Sequence, residues 1–225
     1  MTYLQLVNRV LTRLREKPVV NVTSSTKYIE LIAQIVNEAK YDVEDAGPWK
    51  ALRTDLTGSM VAGTDTIDLT ASTNERSYLM RDSDTGCPLA YITSSGKQSV
   101  LGVITAAEMK ELKALETTPV TTAQPTYVSF STSASGVTAT LWPTPDDTYS
   151  YQFTFVVPQD DLSDATDVLT VPAEPVWREA LVRAIEERGD EFSGDINGYR
   201  LRSEAALNRA IMTDFGADPI TFRGV

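Results

Sequence analysis

Histidine is missing altogether from the 225 residues, and cysteine occurs once, as Cys87. Without histidine there is no Ser-His-Asp or Cys-His nucleophile and no HExxH or Cys/His zinc site. Acid–base chemistry would rest on carboxylates, lysine or tyrosine alone. A single cysteine excludes an internal disulfide and reads as a strand-packed or half-exposed thiol. No apolar run approaches the roughly 18 residues of a membrane span. The opening MTYLQLVNRVLTRLREK lacks the basic-then-apolar order of a secretory signal. Basic residues are scarce as well, 20 Lys and Arg against 31 Asp and Glu, for a net charge of −11. That balance argues against a surface that grips nucleic-acid backbones and for high solubility. Walker A is absent, and Gly194 with Gly198 forms no phosphate loop.

What is present is the material of a soluble globular protein, 42% hydrophobic and 23% charged. The length suits one large domain or two small ones, burying roughly 70% of the surface of the unfolded chain. The chain is organised around a helix entered at Val171-Pro172 and running to about Phe192. Trp177, Leu181, Ala184 and Ile185 recur at helical spacing and form its core face. Arg178, Glu179, Arg183, Glu186 and Glu187 fall on the other side. Pro172 and Pro175 sit in the first turn, where the missing N–H costs nothing.

Thr2 and Gln5 match a capping box, and Leu4, Val7, Val10, Leu11 and Leu14 follow as a helical stripe. A second helix, capped by Ser24 or Ser25, carries Tyr28, Leu31, Ile32, Ile35, Val36, Ala39 and Val43 on one face. Gly47-Pro48 stops it, and Trp49 is placed to pin its end to the next layer. From about Ala51 to Val157 the period drops from 3.6 to 2, in Thr66–Leu69, Tyr127–Ser131, Val137–Leu141 and Tyr149–Val156. One helix, Ala106 to Leu115, interrupts this block. QDDLSDATDV reads as an acidic, solvated connector. A last helix carries Tyr199, Ser203, Ala206, Leu207, Ala210 and Ile211 on a face of mostly small residues.

The expected class is α+β: a discontinuous helical bundle, 1–48 and 170–212, with an antiparallel β-sandwich or barrel-like domain, 49–169, inserted. An extended C-terminal arm, 213–225, completes it. Phe215, Pro219, Ile220 and Phe222 lie outside any amphipathic period, so the arm reads as a partner-binding segment with Arg223 as its charge. Ser94-Ser95-Gly96-Lys97 spells S-x-x-K but falls in a turn between strands. Asp160, Asp161, Asp164 and Asp167 lack calcium-loop spacing and its glycine. Acid pairs such as Asp146-Asp147 or Asp82 with Asp84 are unavoidable among 31 acids. Asn21-Val22-Thr23 matches a glycosylation sequon with no other mark of secretion. No metal, cofactor or catalytic centre is expected.

One run is more specific. Leu141, Pro143 and Pro145 close a strand, Tyr149 to Val156 form the next, and after an acidic loop Val171-Pro172 opens the central helix. With the two N-terminal amphipathic helices, this order resembles the head-to-tail adaptors of tailed bacteriophages, close to the tail tubular protein A group of short-tailed phages. The resemblance implies a structural, non-enzymatic virion protein made in the host cytoplasm and placed in the phage neck. It implies a self-assembled, dodecameric ring between the portal protein and the tail nozzle protein, lining the channel through which DNA passes without specific binding. It also places the portal contact on the C-terminal arm, Phe215, Pro219, Ile220, Phe222 and Arg223. The alternative is a virion protein that binds or degrades carbohydrate with carboxylates of the β block.

Overall fold

A computed structural model describes residues 1–22, 26–82, 85–94, 96–115, 122–189 and 195–215. The fold is α+β, with five helices and two sheets among those residues. Its contacts divide the chain into two compact units, Met1–Leu52 with the chain from Gln159 onward, and Arg53–Pro158.

The helical unit is built from α1 (Tyr3–Arg13), α2 (Lys27–Asp45), α4 (Ala173–Arg188) and α5 (Ile196–Phe215). The Thr2/Gln5 capping box closes the start of α1 from both directions. Two more first-turn donors of α1 are satisfied by the loop Gln159–Pro172: Tyr3 N–H donates to the Asp167 carbonyl at 2.8 Å and Leu4 N–H to Ala165 at 3.2 Å. For α2 the cap position is Thr26, which makes no side-chain cap bond; Ser24 and Ser25 lie outside the described residues. Trp49 is 1% exposed and donates its indole N–H to the Val43 carbonyl at 2.6 Å. It therefore folds back on its own helix and satisfies one of the carbonyls that a helix end leaves open.

Helix α4 packs against α1, α2 and α5. Trp177, Leu181, Ala184 and Ile185 are all buried, and so are Pro175, Val176, Ala180 and Val182, so the apolar surface is wider than a single stripe. The helix stops at Arg188 rather than near Phe192, because Gly189 takes a φ of 56°, which ends the helical run. Arg188 ties that end to its neighbours through Glu16 at 2.6 Å and the Tyr28 hydroxyl. Arg183, also set on the solvent side by its periodicity, bridges to Glu38 and Asp42 of α2 and to Glu179 of its own helix.

The acidic stretch exposes Asp160, Asp161 and Asp164, as a solvated connector would, but it is also anchored to the helical unit. Leu162, Leu169 and Val171 are buried, and the Asn37 side-chain amide clamps the backbone of Leu162 in both directions at 3.0 Å. Asp167 accepts the N–H groups of Asp164 and Ser163 at 2.8 Å, which lowers its pKa below the usual carboxylate range. The neighbouring Tyr3 hydroxyl donates to the Ala33 carbonyl at 2.8 Å. Burial, with the negative charges of Asp161 and Asp167, pushes its pKa from 10.0 to about 12. A raised phenol pKa stabilises the fold fully below pH 10.0, and that contribution disappears as pH rises toward about 12. Alkaline titration followed by tyrosinate absorbance and circular dichroism should show loss of helix in that window. In a Tyr3→Phe chain the slope of stability against pH between those values should be shallower.

The β unit holds two sheets and α3 (Ala106–Ala114), whose Thr105/Glu108 capping box starts it. In the first sheet β9 (Tyr149–Val156) is central. It pairs over its whole length with β1 (Arg53–Met60) on one side. On the other it pairs with β3 (Tyr78–Leu79) and β4 (Ala90–Ser94), and β5 (Lys97–Val100) is the hairpin partner of β4. The second sheet runs β2 (Thr66–Asp68), β8 (Gly136–Trp142), β7 (Tyr127–Ser133), β6 (Gly102–Val103). Its last pair is parallel, so this sheet is mixed rather than antiparallel, and neither sheet closes into a barrel. Alternation sends Tyr149, Phe153 and Phe155 of β9, and Val137, Ala139 and Leu141 of β8, into one shared core. Gly58 faces Tyr151 across β1 and β9, and a Cβ there would stand 2.5 Å from the phenol oxygen. With the Tyr151 ring in this position, only glycine fits at 58.

Candidate docking site

Most sequence-marked candidates come apart in the structure. Ser94 and Lys97 are paired ends of the β4–β5 hairpin, consistent with a turn. Cys87 is exposed rather than strand-packed. Tyr149 donates to Asp146 at 2.6 Å, so that carboxylate is engaged by the first residue of the strand that follows it. No group of three or more Cys, Asp or Glu is placed to hold a metal ion among the described residues. No described helix is long and apolar enough to cross a membrane. Pro219, Ile220, Phe222 and Arg223 lie outside the described residues. Of Phe215 only the backbone is described, as the last residue of α5. The helix thus continues beyond the expected start of the arm at residue 213, and Asp214 accepts the Lys50 N–H at 3.0 Å.

What the structure does assemble is a cleft in the helical unit, about 540 Å³, walled by α1, α4 and α5. Trp177 and Leu181 line it, and both are almost fully buried. Three guanidinium carbons stand over the indole ring, Arg9 at 4.5 Å, Arg178 at 4.8 Å and Arg13 at 5.7 Å. A fourth, Arg202, lies 5.8 Å from the Tyr199 ring, and both residues line the same cleft. Each such contact is favourable by about 0.5–1 kcal/mol at an exposed site. Arg178 is neutralised by Glu174 at 2.8 Å. For Arg9, Arg13 and Arg202 no carboxylate lies within ion-pair distance among the described residues. The Trp177 indole N–H is buried with no acceptor among the described residues.

Periodicity marks Trp177 and Leu181 as core and Arg178 as outward-facing, and it gives Arg9, Arg13 and Arg202 no role. The signal was there: α1 carries Arg9 and Arg13 one turn apart and no acid at all. Like charges at that spacing destabilise a helix slightly unless something answers them.

The chain belongs to the SU10 adaptor protein family, whose model matches residues 1–218. No curated protein matches the chain. The family match agrees with the resemblance drawn from the Pro-x-Pro strand, the tyrosine-rich strand and the Val-Pro helix entry. It makes the chain a phage adaptor, a structural component of the virion that joins other virion proteins.

Proposed function

We propose that the chain is one subunit of a dodecameric ring set between the portal protein and the tail nozzle, lining the channel through which the genome leaves. The observation that carries this reading is the family match across residues 1–218, which spans both structural units. In this reading the helical unit is the ring body and the β unit is the projection toward the tail or periphery. A net charge of −11 per subunit keeps duplex DNA from adhering to the wall as it slides. The role is structural and needs no cofactor. The segment that starts at the last residue of α5, Phe215 with Pro219, Ile220, Phe222 and Arg223, is the portal-binding arm. Its aromatic rings serve as anchors, and Asp218-Pro219 favours an extended path.

A chain ending at Asp214 removes the whole arm, Phe215 included, shortens α5 by one residue and keeps the Asp214–Lys50 bond. It should keep its helicity and melting temperature yet fail to cosediment with portal or to add a ring to it in electron micrographs. A markedly lower melting temperature would make the segment internal packing. Undiminished docking would place the portal contact elsewhere.

A further inference from the structure

The Trp177 cleft gathers positive charge in a chain that has little to spare. Arg9, Arg13 and Arg202 line it with no carboxylate within ion-pair distance among the described residues, and Glu174, the acid in the lining, pairs with Arg178, although acids outnumber bases by 31 to 20. A guanidinium over an aromatic ring loses water on that side and keeps its in-plane N–H donors for a carboxylate or phosphate, bidentately. Elsewhere in the same unit the charge is reversed. The outer face of α2 exposes Glu30, Glu38, Asp42 and Asp45, and Arg183 is the cation that bridges Glu38 and Asp42. No α2 residue lines the cleft, so the basic and acidic features belong to different faces of one unit.

We propose that the arginine cleft around Trp177 receives the acidic outer face of α2 from a second copy of this chain. The contact joins two different patches, so copies add head to tail, the geometry that closes into rings. Subunits that each carry −11 repel at long range, and a local patch of opposite sign is what allows them to meet. A carboxylate-bearing helix suits the cleft better than duplex DNA does. Glu174 stands within the lining, and the basic patch is a short concave site rather than a stripe that tracks a backbone. This inference rests on the ring reading, and the experiment separates the failure of one from the failure of the other.

Sedimentation velocity of the full chain across a concentration series, at low and high salt, follows self-association. The cleft variant is Arg9→Glu with Arg13→Glu; both residues are exposed. The α2 variant is Glu30→Lys with Glu38→Lys, which leaves Arg183 its contacts with Asp42 and Glu179. The unaltered chain should self-associate, more weakly as salt rises. Each variant alone should associate about tenfold or more weakly. An equimolar mixture should regain association, because Glu in one cleft then faces Lys on the other α2; that recovery also shows both variants are folded. A chain that never self-associates overturns the inference and the ring reading together. Variants that associate like the unaltered chain, or a mixture that regains nothing, overturn the inference and leave the ring to another contact. If the cleft variant loses only retention on a short DNA duplex, the cleft is a phosphate site and the inference falls.

Discussion

A Phe153→Ala chain should lose about 3–5 kcal/mol of stability, the range for emptying a buried aromatic site. Phe153 is 0% exposed at the middle of β9, the strand that pairs with β1, β3 and β4. Phe130 of the other sheet meets it edge-on at 5.3 Å, and Tyr151 stacks on it at 4.8 Å. Truncation removes the packing partner of two further rings from two sheets, and β9, held in register on both sides, has little freedom to collapse into the void. Urea unfolding followed by tryptophan and tyrosine fluorescence measures the loss, read from the midpoint at constant slope. Tyr127→Ala is the contrast: that ring is 39% exposed on β7 and should cost about 1 kcal/mol or less. Equal losses at the two positions would mean that the aromatic cluster is not the structural centre of the β unit.

The same residues show why some elements are visible in the sequence and others are not. β7, β8 and β9 announce themselves because one face is buried and the other is not, so Val137, Ala139 and Leu141 alternate with Thr138 and Thr140. β1 is as long as β9 but reads RTDLTGSM, with only Leu56 and Met60 buried, and its identity comes from β9 rather than from its own pattern. β3 and β6 have two residues each, too short for any period. The parallel β6–β7 pair follows from the path of the chain through α3, which no local window sees. The α1 cap was legible because Thr2 and Gln5 act within one turn. The loop Gln159–Pro172 was not, since its role lies in backbone carbonyls and N–H groups offered to α1 and α2, to which composition is blind. The arginine cleft is partly legible: an acid-free α1 is written in the sequence, but its convergence with Arg178 and Arg202 is a product of packing.

Lys40→Met should be among the most damaging single changes in the helical unit, at about 3–5 kcal/mol, the cost of breaking a buried ion pair from one side. Lys40 and Glu44 sit one turn apart on α2, both side chains fully buried, with Nζ 3.7 Å from the carboxylate. By composition such a pair belongs on a solvated face, yet position 40 continues the Val36 and Val43 side of the helix, which points inward. The ammonium is held there by the loop that begins the second half of the unit, donating to the Gln159 carbonyl at 2.5 Å and the Asp160 carbonyl at 2.7 Å. Glu44 in turn accepts the Gln159 N–H at 3.2 Å. The pair therefore fastens a loop from residue 159 onward to a helix that ended at residue 45, using both strands of a chain interrupted by the β unit. Methionine fills most of the lysine volume, so the loss isolates charge and hydrogen bonding from packing. It takes from Glu44 the buried ammonium one turn away and from two carbonyls the donor they share. Adding Glu44→Gln to Lys40→Met removes the carboxylate charge that the ammonium faced and keeps an acceptor for Gln159, and about half the loss should return. Chemical denaturation of the three chains decides the matter. A loss under about 1 kcal/mol in Lys40→Met would mean that the ammonium is hydrated in solution and that the loop is held by Asn37 and Leu162 instead.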